Sequence, residues 1–353
     1  MKFKGVLIVS LFLLATFSCN KAPDDPFCRS EPLAASAGIG AGQGAVQITA
    51  SADEYFYILE KTGKEAAHGR LNMSASVKPG DYDARVNNSI HPVHVRENTL
   101  TKCSAGTVLL RGSTDEYYYV LNSTGREMAH NKLGRGLAFF PGKYTLRVNN
   151  TPQEFEVKPD ALTEVQAGIL TVPGSTDEYY YVLDSTGTEL AHQKLSKPLA
   201  FMPGARTVKV NNTSATVQIA AGSPAELKTG AVLVHGTTDE YYYVFSATGN
   251  ELAHQKLNGP LSFVEGDYTV KVNNTPMPVK VEAGKTNEYQ TATVSVKGAG
   301  DQYYYVLDRN GTELGHNKLN APLALPEGAY SVKVAGETRP VDLAAAKTTV
   351  VNW

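Results

Sequence analysis

Five histidines occur at intervals of 62 residues, each three positions after a glutamate. They are His68, His130, His192, His254 and His316. Histidine and carboxylate side chains are common metal ligands and also form acid–base pairs. Because residues three apart on a β-strand face opposite sides, we do not expect Glu189 and His192 to bind one metal ion together. We expect each ring to satisfy nearby backbone groups; the alternatives are an exposed contact residue and a metal site between neighbouring copies.

A catalytic role would require a nucleophile beside each histidine. Thr114 and Thr176 precede the aspartates of their copies, but Ala52 and Gly300 occupy that position elsewhere. No Ser, Cys or Thr accompanies all five histidines. The sequence therefore predicts a protein that is not an enzyme and uses no cofactor.

Each copy also carries three consecutive aromatic residues, which together use 14 of the 19 tyrosines, two in the first copy and three in each of the other four. On a strand, Tyr179 and Tyr181 share one face and Tyr180 takes the other. We expect Tyr179 and Tyr181 to pack in the core with their hydroxyls at the rim. The middle ring is then the candidate contact for a sugar or a protein, since it offers a flat apolar face with a polar tip. These candidate ligand-binding residues are Tyr118, Tyr180, Tyr242 and Tyr304. Packing of the middle ring against a neighbouring copy is the alternative.

The histidines and tyrosines belong to an ungapped repeat of 62 residues. We number its copies unit one to unit five; they span residues 44-105, 106-167, 168-229, 230-291 and 292-353. A unit of this size buries only about 60% of its unfolded surface and is marginal alone. Because no linker separates the units, we expect neighbours to stabilise one another, as in other repeat proteins.

Short runs of β-forming residues alternate with turns inside each unit. In unit three the turns fall at 185–187, 203–204 and 211–212, which leaves room for about seven short strands. We therefore predict an all-β chain of five tandem small antiparallel β-sandwiches of Ig-like architecture. The scaling of the radius of gyration with chain length gives a unit a diameter of ~25–30 Å. Five units end to end would therefore form an elongated rod of ~130 Å.

One block in the second half of the units carries a family resemblance. Its pattern is Pro-Gly-x-Tyr-x-hydrophobic-x-Val at 141–148 and Gly-x-Tyr-x-Val-x-Val at 266–272, followed by Val-x-Val-x-Ala-Gly at 279–284. This block resembles the PEGA-like and carboxypeptidase-regulatory-like sandwich repeats of bacterial surface proteins. The resemblance implies an Ig-like or prealbumin-like sandwich with a structural or adhesive role. The tyrosine-rich half of each unit departs from that pattern.

The first residues predict export. Residues 1–18 join a short basic start to an apolar run at 5–17, which is too short to span a membrane. Cys19 follows directly, an order that resembles a bacterial lipoprotein signal in which Cys19 becomes the lipidated amino terminus. An ordinary secretory signal cut near Ser18 is the alternative. Residues 19–43, rich in Ala, Gly, Ser and Pro, predict a flexible tether.

Two further cysteines remain, Cys28 and Cys103. In an exported chain they could join the tether to unit one through a disulfide. Two free thiols are the alternative.

The charge balance excludes one class of partner. With 33 basic and 35 acidic residues and a net charge of -2, the chain has no basic field for nucleic acid. We expect a non-enzymatic lipoprotein, held on the membrane by its lipid and placed at the outer membrane or cell surface, that serves as a structural spacer or adhesive stalk. The alternative is a multivalent binder of a glycan or surface protein that gains avidity from five tyrosine-rich faces.

Overall fold

The structure is a computed structural model that describes residues 25–33 and 39–353. The signal segment and Cys19 lie outside the described residues, as do parts of the predicted tether. The described residues contain strands, turns and bends. Within them, no helix is long and apolar enough to cross a membrane.

One strand precedes the repeat, and seven strands follow in each unit of the described chain. The first is β1 (Cys28–Pro32). Unit one contains β2 (Gly44–Thr49), β3 (Tyr55–Leu59), β4 (Glu65–Arg70), β5 (Ser74–Val77), β6 (Gly80–Val86), β7 (Ser89–Val95) and β8 (Thr99–Ser104). Unit two contains β9 (Gly106–Arg111), β10 (Tyr117–Leu121), β11 (Glu127–Lys132), β12 (Leu137–Phe139), β13 (Gly142–Val148), β14 (Thr151–Val157) and β15 (Leu162–Gln166).

The same order of strands recurs in the other three units. Unit three contains β16 (Gly168–Thr171), β17 (Tyr179–Leu183), β18 (Glu189–Lys194), β19 (Leu199–Phe201), β20 (Gly204–Val210), β21 (Thr213–Ile219) and β22 (Pro224–Glu226). Unit four contains β23 (Thr229–His235), β24 (Tyr241–Phe245), β25 (Glu251–Lys256), β26 (Leu261–Val264), β27 (Gly266–Val272), β28 (Thr275–Val281) and β29 (Thr286–Gln290). Unit five contains β30 (Ala292–Lys297), β31 (Tyr303–Leu307), β32 (Glu313–Lys318), β33 (Pro322–Leu325), β34 (Gly328–Val334), β35 (Glu337–Leu343) and β36 (Thr348–Asn352).

Each unit is a sandwich of two sheets. In unit three, the larger sheet has the order β18-β17-β20-β21 and the smaller has the order β19-β16-β22. Leu170 and Phe201 of the smaller sheet and Tyr180 of the larger sheet belong to one buried core. Apolar side chains alternate inward on both sheets, as expected for a sandwich. The predicted all-β fold of tandem sandwiches is confirmed.

One strand pair in each unit is parallel, so the expectation of a wholly antiparallel sandwich is wrong for that pair. In unit three, β16 is antiparallel to β19 but parallel to β22, and the equivalent first and last strands pair in parallel in the other units. Because the first and last strands of a unit run in the same direction, the chain enters at one end and leaves at the other. The next unit begins at that far end, which arranges the units in tandem.

The asparagine pairs form the tight hairpin turns that the sequence predicts. Asn211 and Asn212 have φ angles of 43° and 58° and connect β20 to β21, whose pairing closes at Val210 and Thr213. Asparagine tolerates the left-handed region better than most residues, which explains its use at this turn.

Part of the predicted tether is an ordered strand. β1 pairs antiparallel with β8 in a register that places Cys28 opposite Cys103, and the two cysteines form a disulfide. Asp25, just before β1, accepts hydrogen bonds from the Phe27 backbone and from His91 Nε2. The expectation of flexibility is therefore wrong for residues 28–32, because ladder hydrogen bonds and a covalent bond hold them on unit one.

Breaking this disulfide should loosen unit one alone. The bond joins residues 75 positions apart, and a disulfide typically contributes about 2–4 kcal/mol of stabilisation. Cys28→Ser with Cys103→Ser should lower the stability of unit one by that order. Hydrogen exchange of β1 and β8 should speed up, whereas exchange in unit five should stay unchanged. Unaltered exchange of β1 would contradict the covalent anchor.

Candidate functional site

The outer sheet face of each unit carries a cluster of tyrosine and histidine side chains. In unit three, Tyr179 and Tyr181 are 43% and 38% exposed. Because side chains alternate along a strand, both rings lie on the outer face of β17 while Tyr180 points inward. The expectation that Tyr179 and Tyr181 pack in the core is wrong.

The middle tyrosines are fully buried, so the prediction that they form a contact surface is wrong. Tyr118, Tyr180, Tyr242 and Tyr304 are each 0% exposed. They lie within the core of their own unit, not between units: the Tyr180 hydroxyl donates to the Lys197 carbonyl at 2.7 Å. Burial raises the pKa of this hydroxyl well above its usual range, and the charge of Glu116 adds to the shift.

His192 lies on β18 directly opposite Tyr181. Its ring centroid is 5.8 Å from that of Tyr179 and 5.4 Å from that of Tyr181. The His192 side chain is 53% exposed, so the expectation of a ring held by backbone groups is wrong. We name Tyr179, Tyr181, His192 and their equivalents in other units the Tyr–His cluster.

A β-bulge brings Glu189 to the same face as His192. The register of β17 and β18 shifts between Val182 and Leu183, so that Leu190 has no partner in the ladder. The extra residue in the bulge places two residues that are three positions apart on the same face of the sheet. His192 Nδ1 therefore lies 2.7 Å from Glu189 Oε1. The expectation that these two residues face opposite sides is wrong, because the bulge interrupts the regular alternation of side chains. The spacing of the residues alone does not reveal the bulge.

The Glu–His pair recurs in all five units. The Nδ1–Oε1 distances are 2.8 Å for His68, 2.7 Å for His130, 2.8 Å for His254 and 2.6 Å for His316. Among the described residues, the group with three side chains placed to hold a metal is Asp25, Cys28 and His91, where Cys28 is in the disulfide. In each unit, one imidazole therefore pairs with one glutamate carboxylate.

Two cations flank each pair of tyrosines. Lys194 Nζ lies 2.6 Å from Asp177 and 5.9 Å from the centre of the Tyr179 ring. Lys209, on β20, lies opposite Tyr181 in the ladder. In units one and two, arginines hold this second position and lie over the third aromatic ring, at 4.9 Å for Arg85 and 5.3 Å for Arg147. In the described part of the chain, no carboxylate lies within ion-pair distance of this second cation in any unit.

An open cavity lies on the β20 side of the tyrosines. It has a volume of about 690 Å³ in unit three, and its walls include Tyr179, Tyr181, Glu189, Lys209 and Asn212. A cavity of about 590 Å³ occupies the equivalent position in unit four. Both cavities are open to solvent over much of their surface.

A second set of side chains joins each unit to the next. In unit three, Glu178 accepts a hydrogen bond from the Ser262 backbone N–H at 2.7 Å, while Asn211 donates to the Ser262 carbonyl at 3.1 Å. These two side chains therefore satisfy both backbone polar groups of Ser262 on the edge strand β26, as a paired strand would. Asn212 donates to the Leu252 carbonyl at 2.8 Å. We name the Glu–Asn–Asn set the clasp.

The clasp recurs between units one and two and between units two and three. Its residues there are Glu54, Asn87 and Asn88, and Glu116, Asn149 and Asn150. Between units four and five, Glu240 and Asn273 bind the N–H and the carbonyl of Ala324. Unit five has Gln302, Ala335 and Gly336 at the clasp positions.

The sequence alone does not reveal the clasp. It predicts turns at the Asn-Asn pairs and indicates no role for the glutamate before the tyrosines. The signal available was their joint change in unit five, where Gln302 and Ala335 replace the acid and the first amide together. Residues that change together across copies are expected to share one interaction.

Burial gives the first clasp a dependence on pH. Burial raises the pKa of the Glu54 carboxyl, although hydrogen bonds from Ala138 and Asn87 lower it in part. Because the folded-state pKa is raised, the folded protein favours the protonated form of Glu54. The resulting contribution to stability is fully present at pH values below the ordinary pKa of glutamate. This contribution is lost as the pH rises through the folded-state pKa.

Glu54→Gln should remove this dependence. The free energy of unfolding of the wild type, measured relative to the Gln variant, should rise as the pH falls from 7 to about 4. Because other carboxylates titrate equally in both proteins, the difference isolates Glu54. A constant difference across that range would show that Glu54 is not buried at the junction.

Comparison with known proteins gives little further guidance. No family model and no curated protein matches the chain. Similar solved structures include the Bacillus anthracis TIE protein, at 12% identity over 93% of this chain and 74% of that one, with a TM-score of 0.18. The major pilin subunit BcpA of Bacillus cereus shares 10% identity over 71% of this chain and 98% of that one, with a TM-score of 0.16.

A further similar structure is the pilus adhesin SpaC of Lactobacillus rhamnosus GG. It shares 9% identity over 92% of this chain and 56% of that one, with a TM-score of 0.20. TM-scores of this size are too low to support an inference about fold or function. The description of the fold therefore rests on the strands and cores of this chain.

Proposed function

We propose that this chain is a non-enzymatic bacterial surface lipoprotein, a spacer or adhesive stalk that places its last units away from the membrane. The observation that carries this proposal is the clasp, which joins consecutive units by the same side chains. Each clasp holds the next unit in one orientation. A series of equivalent junctions gives a regular array rather than a flexible chain of domains.

The connections between units support the same function. β8 ends at Ser104 and β9 begins at Gly106, with only the buried Ala105 between them. Phe140 of unit two packs in the core of unit one, so the cores also meet across the junction. A short, buried connection limits bending between units.

The absence of a nucleophile supports a role without catalysis. In the described residues, no Ser, Thr or Cys side chain hydrogen-bonds to the histidine of any Tyr–His cluster. Each imidazole instead contacts a carboxylate and two aromatic rings, which orients the ring without activating a hydroxyl or thiol.

Anchoring at Cys19 is the other part of the proposal. Cells grown with labelled palmitate should label the wild-type protein, and Cys19→Ser should abolish the label. Cys103→Ser is the matched control, because it removes a cysteine of the folded part and should keep the label. Equal labelling of the Cys19→Ser protein would contradict lipid anchoring at this residue.

The spacer role predicts a reach that depends on the number of units. The lipidated protein is placed in vesicles with a fluorescent lipid, and energy transfer to a dye at the carboxyl terminus measures the distance. Deleting one, two or three whole units of 62 residues should shorten that distance by ~25 Å each. A distance that does not change with unit number would contradict the spacer.

A further inference from the structure

We propose that the Tyr–His clusters form a row of binding sites for the pyranose rings of a neutral polysaccharide. The inference goes beyond the spacer function and assigns a ligand to the outer sheet face. It rests on the exposed tyrosines, the cavity beside them and the charged side chains around the Tyr–His cluster.

The exposed tyrosines supply the apolar part of the site. The first tyrosine of the triplet keeps between 42% and 50% of its surface exposed in all five units. A pyranose ring has apolar C–H groups on its faces and hydroxyls around its rim. An exposed phenol matches it, because its ring packs against the C–H groups while its hydroxyl stays in water.

The cavity supplies the polar part. Beside Tyr181, it is lined by the Lys209 ammonium, the Glu189 carboxylate and the Asn212 amide, whose Nδ2 also donates to the Leu252 carbonyl in the clasp. Together these groups donate and accept hydrogen bonds, as a ring of hydroxyls requires. Specific small-molecule sites combine aromatic walls with a few polar groups of this kind.

The histidine positions the tyrosines. Its ring lies within 6.3 Å of the ring of each exposed tyrosine in every unit, and its Nδ1 is held by the glutamate. This support orders both rings before a ligand arrives. Ordered aromatic side chains lose little conformational entropy on binding.

The charges of the cluster favour a neutral ligand. In unit three, the carboxylates of Asp177 and Glu189 face the ammonium groups of Lys194 and Lys209, and Glu178 adds one carboxylate to the cavity wall. The other units carry two acids and two bases at the first four positions, with arginine as both bases in unit one and as one of them in unit two. With an excess of at most one acid in a unit, the face does not attract a strongly anionic or cationic polymer over distance. Binding should therefore change little between low and high salt.

The fivefold repetition favours a polymer over a folded protein. A stable protein partner needs about 800 Å² of contact on each side, and it would have to present the same patch to each unit. A polysaccharide repeats its own chemistry along its length. Each cluster alone is expected to bind weakly, and simultaneous occupation of several clusters should raise the affinity by on the order of 100-fold or more.

Nuclear magnetic resonance of the histidine rings tests this site in the wild-type protein. Cellohexaose, maltohexaose and chitohexaose are the probes. At least one of them should shift the ring signals of the five cluster histidines, which adjoin the tyrosines. His91, His94 and His235 lie outside the clusters and should not shift. If none of the three sugars moves a cluster histidine, the proposal is overturned.

Retention on insoluble polymers tests the same site by substitution. Tyr179→Ala together with the equivalent changes at Tyr55, Tyr117, Tyr241 and Tyr303 should lower retention on the polymer form of the active hexaose by on the order of 100-fold. The change in unit three alone should cost less than about tenfold, since four clusters remain. Leu162→Ala and Val350→Ala remove exposed apolar side chains outside the clusters and should leave retention unchanged.

The two proposals fail in different experiments. If the five substitutions leave retention intact, or if salt abolishes it, the polysaccharide site is wrong while the spacer stands. If the five substitutions abolish retention on an immobilised protein but not on the polysaccharide, the polysaccharide site is equally wrong. Because these tyrosines lie outside the clasps, the distance measured by energy transfer should be the same in the variant and the wild type.

Discussion

Tyr180→Ala should destabilise unit three by about 3–5 kcal/mol, because removal of a fully buried aromatic ring leaves a cavity and loses its packing. The Tyr180 ring is 0% exposed, and its hydroxyl is bonded to the Lys197 carbonyl. Differential scanning calorimetry of the full chain should show the coupled unfolding transition moving to lower temperature.

Two matched variants separate the ring from the hydroxyl and from its neighbours. Tyr180→Phe should cost only about 1 kcal/mol for the lost hydrogen bond, and unit one already carries Phe56 at this position. Tyr181→Ala should cost less than Tyr180→Ala, because the Tyr181 ring is partly in water. Equal losses for Tyr180→Ala and Tyr181→Ala would contradict the inward orientation of the middle residue.

Removing the clasp between units three and four should uncouple them. Glu178→Ala with Asn211→Ala deletes the hydrogen bonds to both polar groups of Ser262. At 0.5–1.5 kcal/mol for each of the two net bonds, the coupling should fall by about 1–3 kcal/mol. Units one to three and units four to five should then melt in separate transitions.

The control for this pair is Asn250→Ala. Asn250 lies in an exposed turn of unit four, where its side chain bonds only to Thr248 among the described residues. Its removal should leave the junction intact and the transitions coupled. If the double variant melts like the Asn250 variant, the clasp does not couple the units.

The fold could be predicted from the sequence because the signals repeat. Five copies of one pattern locate the turns: the strand β20 ends at Val210, directly before the predicted Asn211–Asn212 turn. The direction of the last strand could not be predicted. Nothing in the residues of β22 distinguishes parallel from antiparallel pairing with β16, since this depends on how the chain crosses between the two sheets.

The sequence does not determine which face of the tyrosine triplet is buried, for a physical reason. Both faces of β17 carry aromatic or aliphatic residues, so alternation shows which residues share a face but not which face is buried. Two signals were present in the sequence. Phe56 replaces the middle tyrosine in unit one, as a core position allows, and Val182 on the same face has an aliphatic equivalent in every unit.

The Glu–His pair could not be placed from spacing alone. A separation of three residues gives opposite faces on a regular strand, and only the bulge at Leu190 reverses this for Glu189 and His192. The Leu190 carbonyl also accepts the hydrogen bond from Asn150 of the preceding unit. The bulge therefore takes part in a contact between units. The residue pattern within one unit gives no information about such contacts.

Small-angle X-ray scattering of residues 44–353 of the chain in solution tests the central claim, that clasped units form an extended array. Five units over ~130 Å correspond to a radius of gyration of about 38 Å, whereas a single compact globule of this length would have about 20 Å. We predict the larger value in the wild type. A radius of gyration near 20 Å would contradict the account.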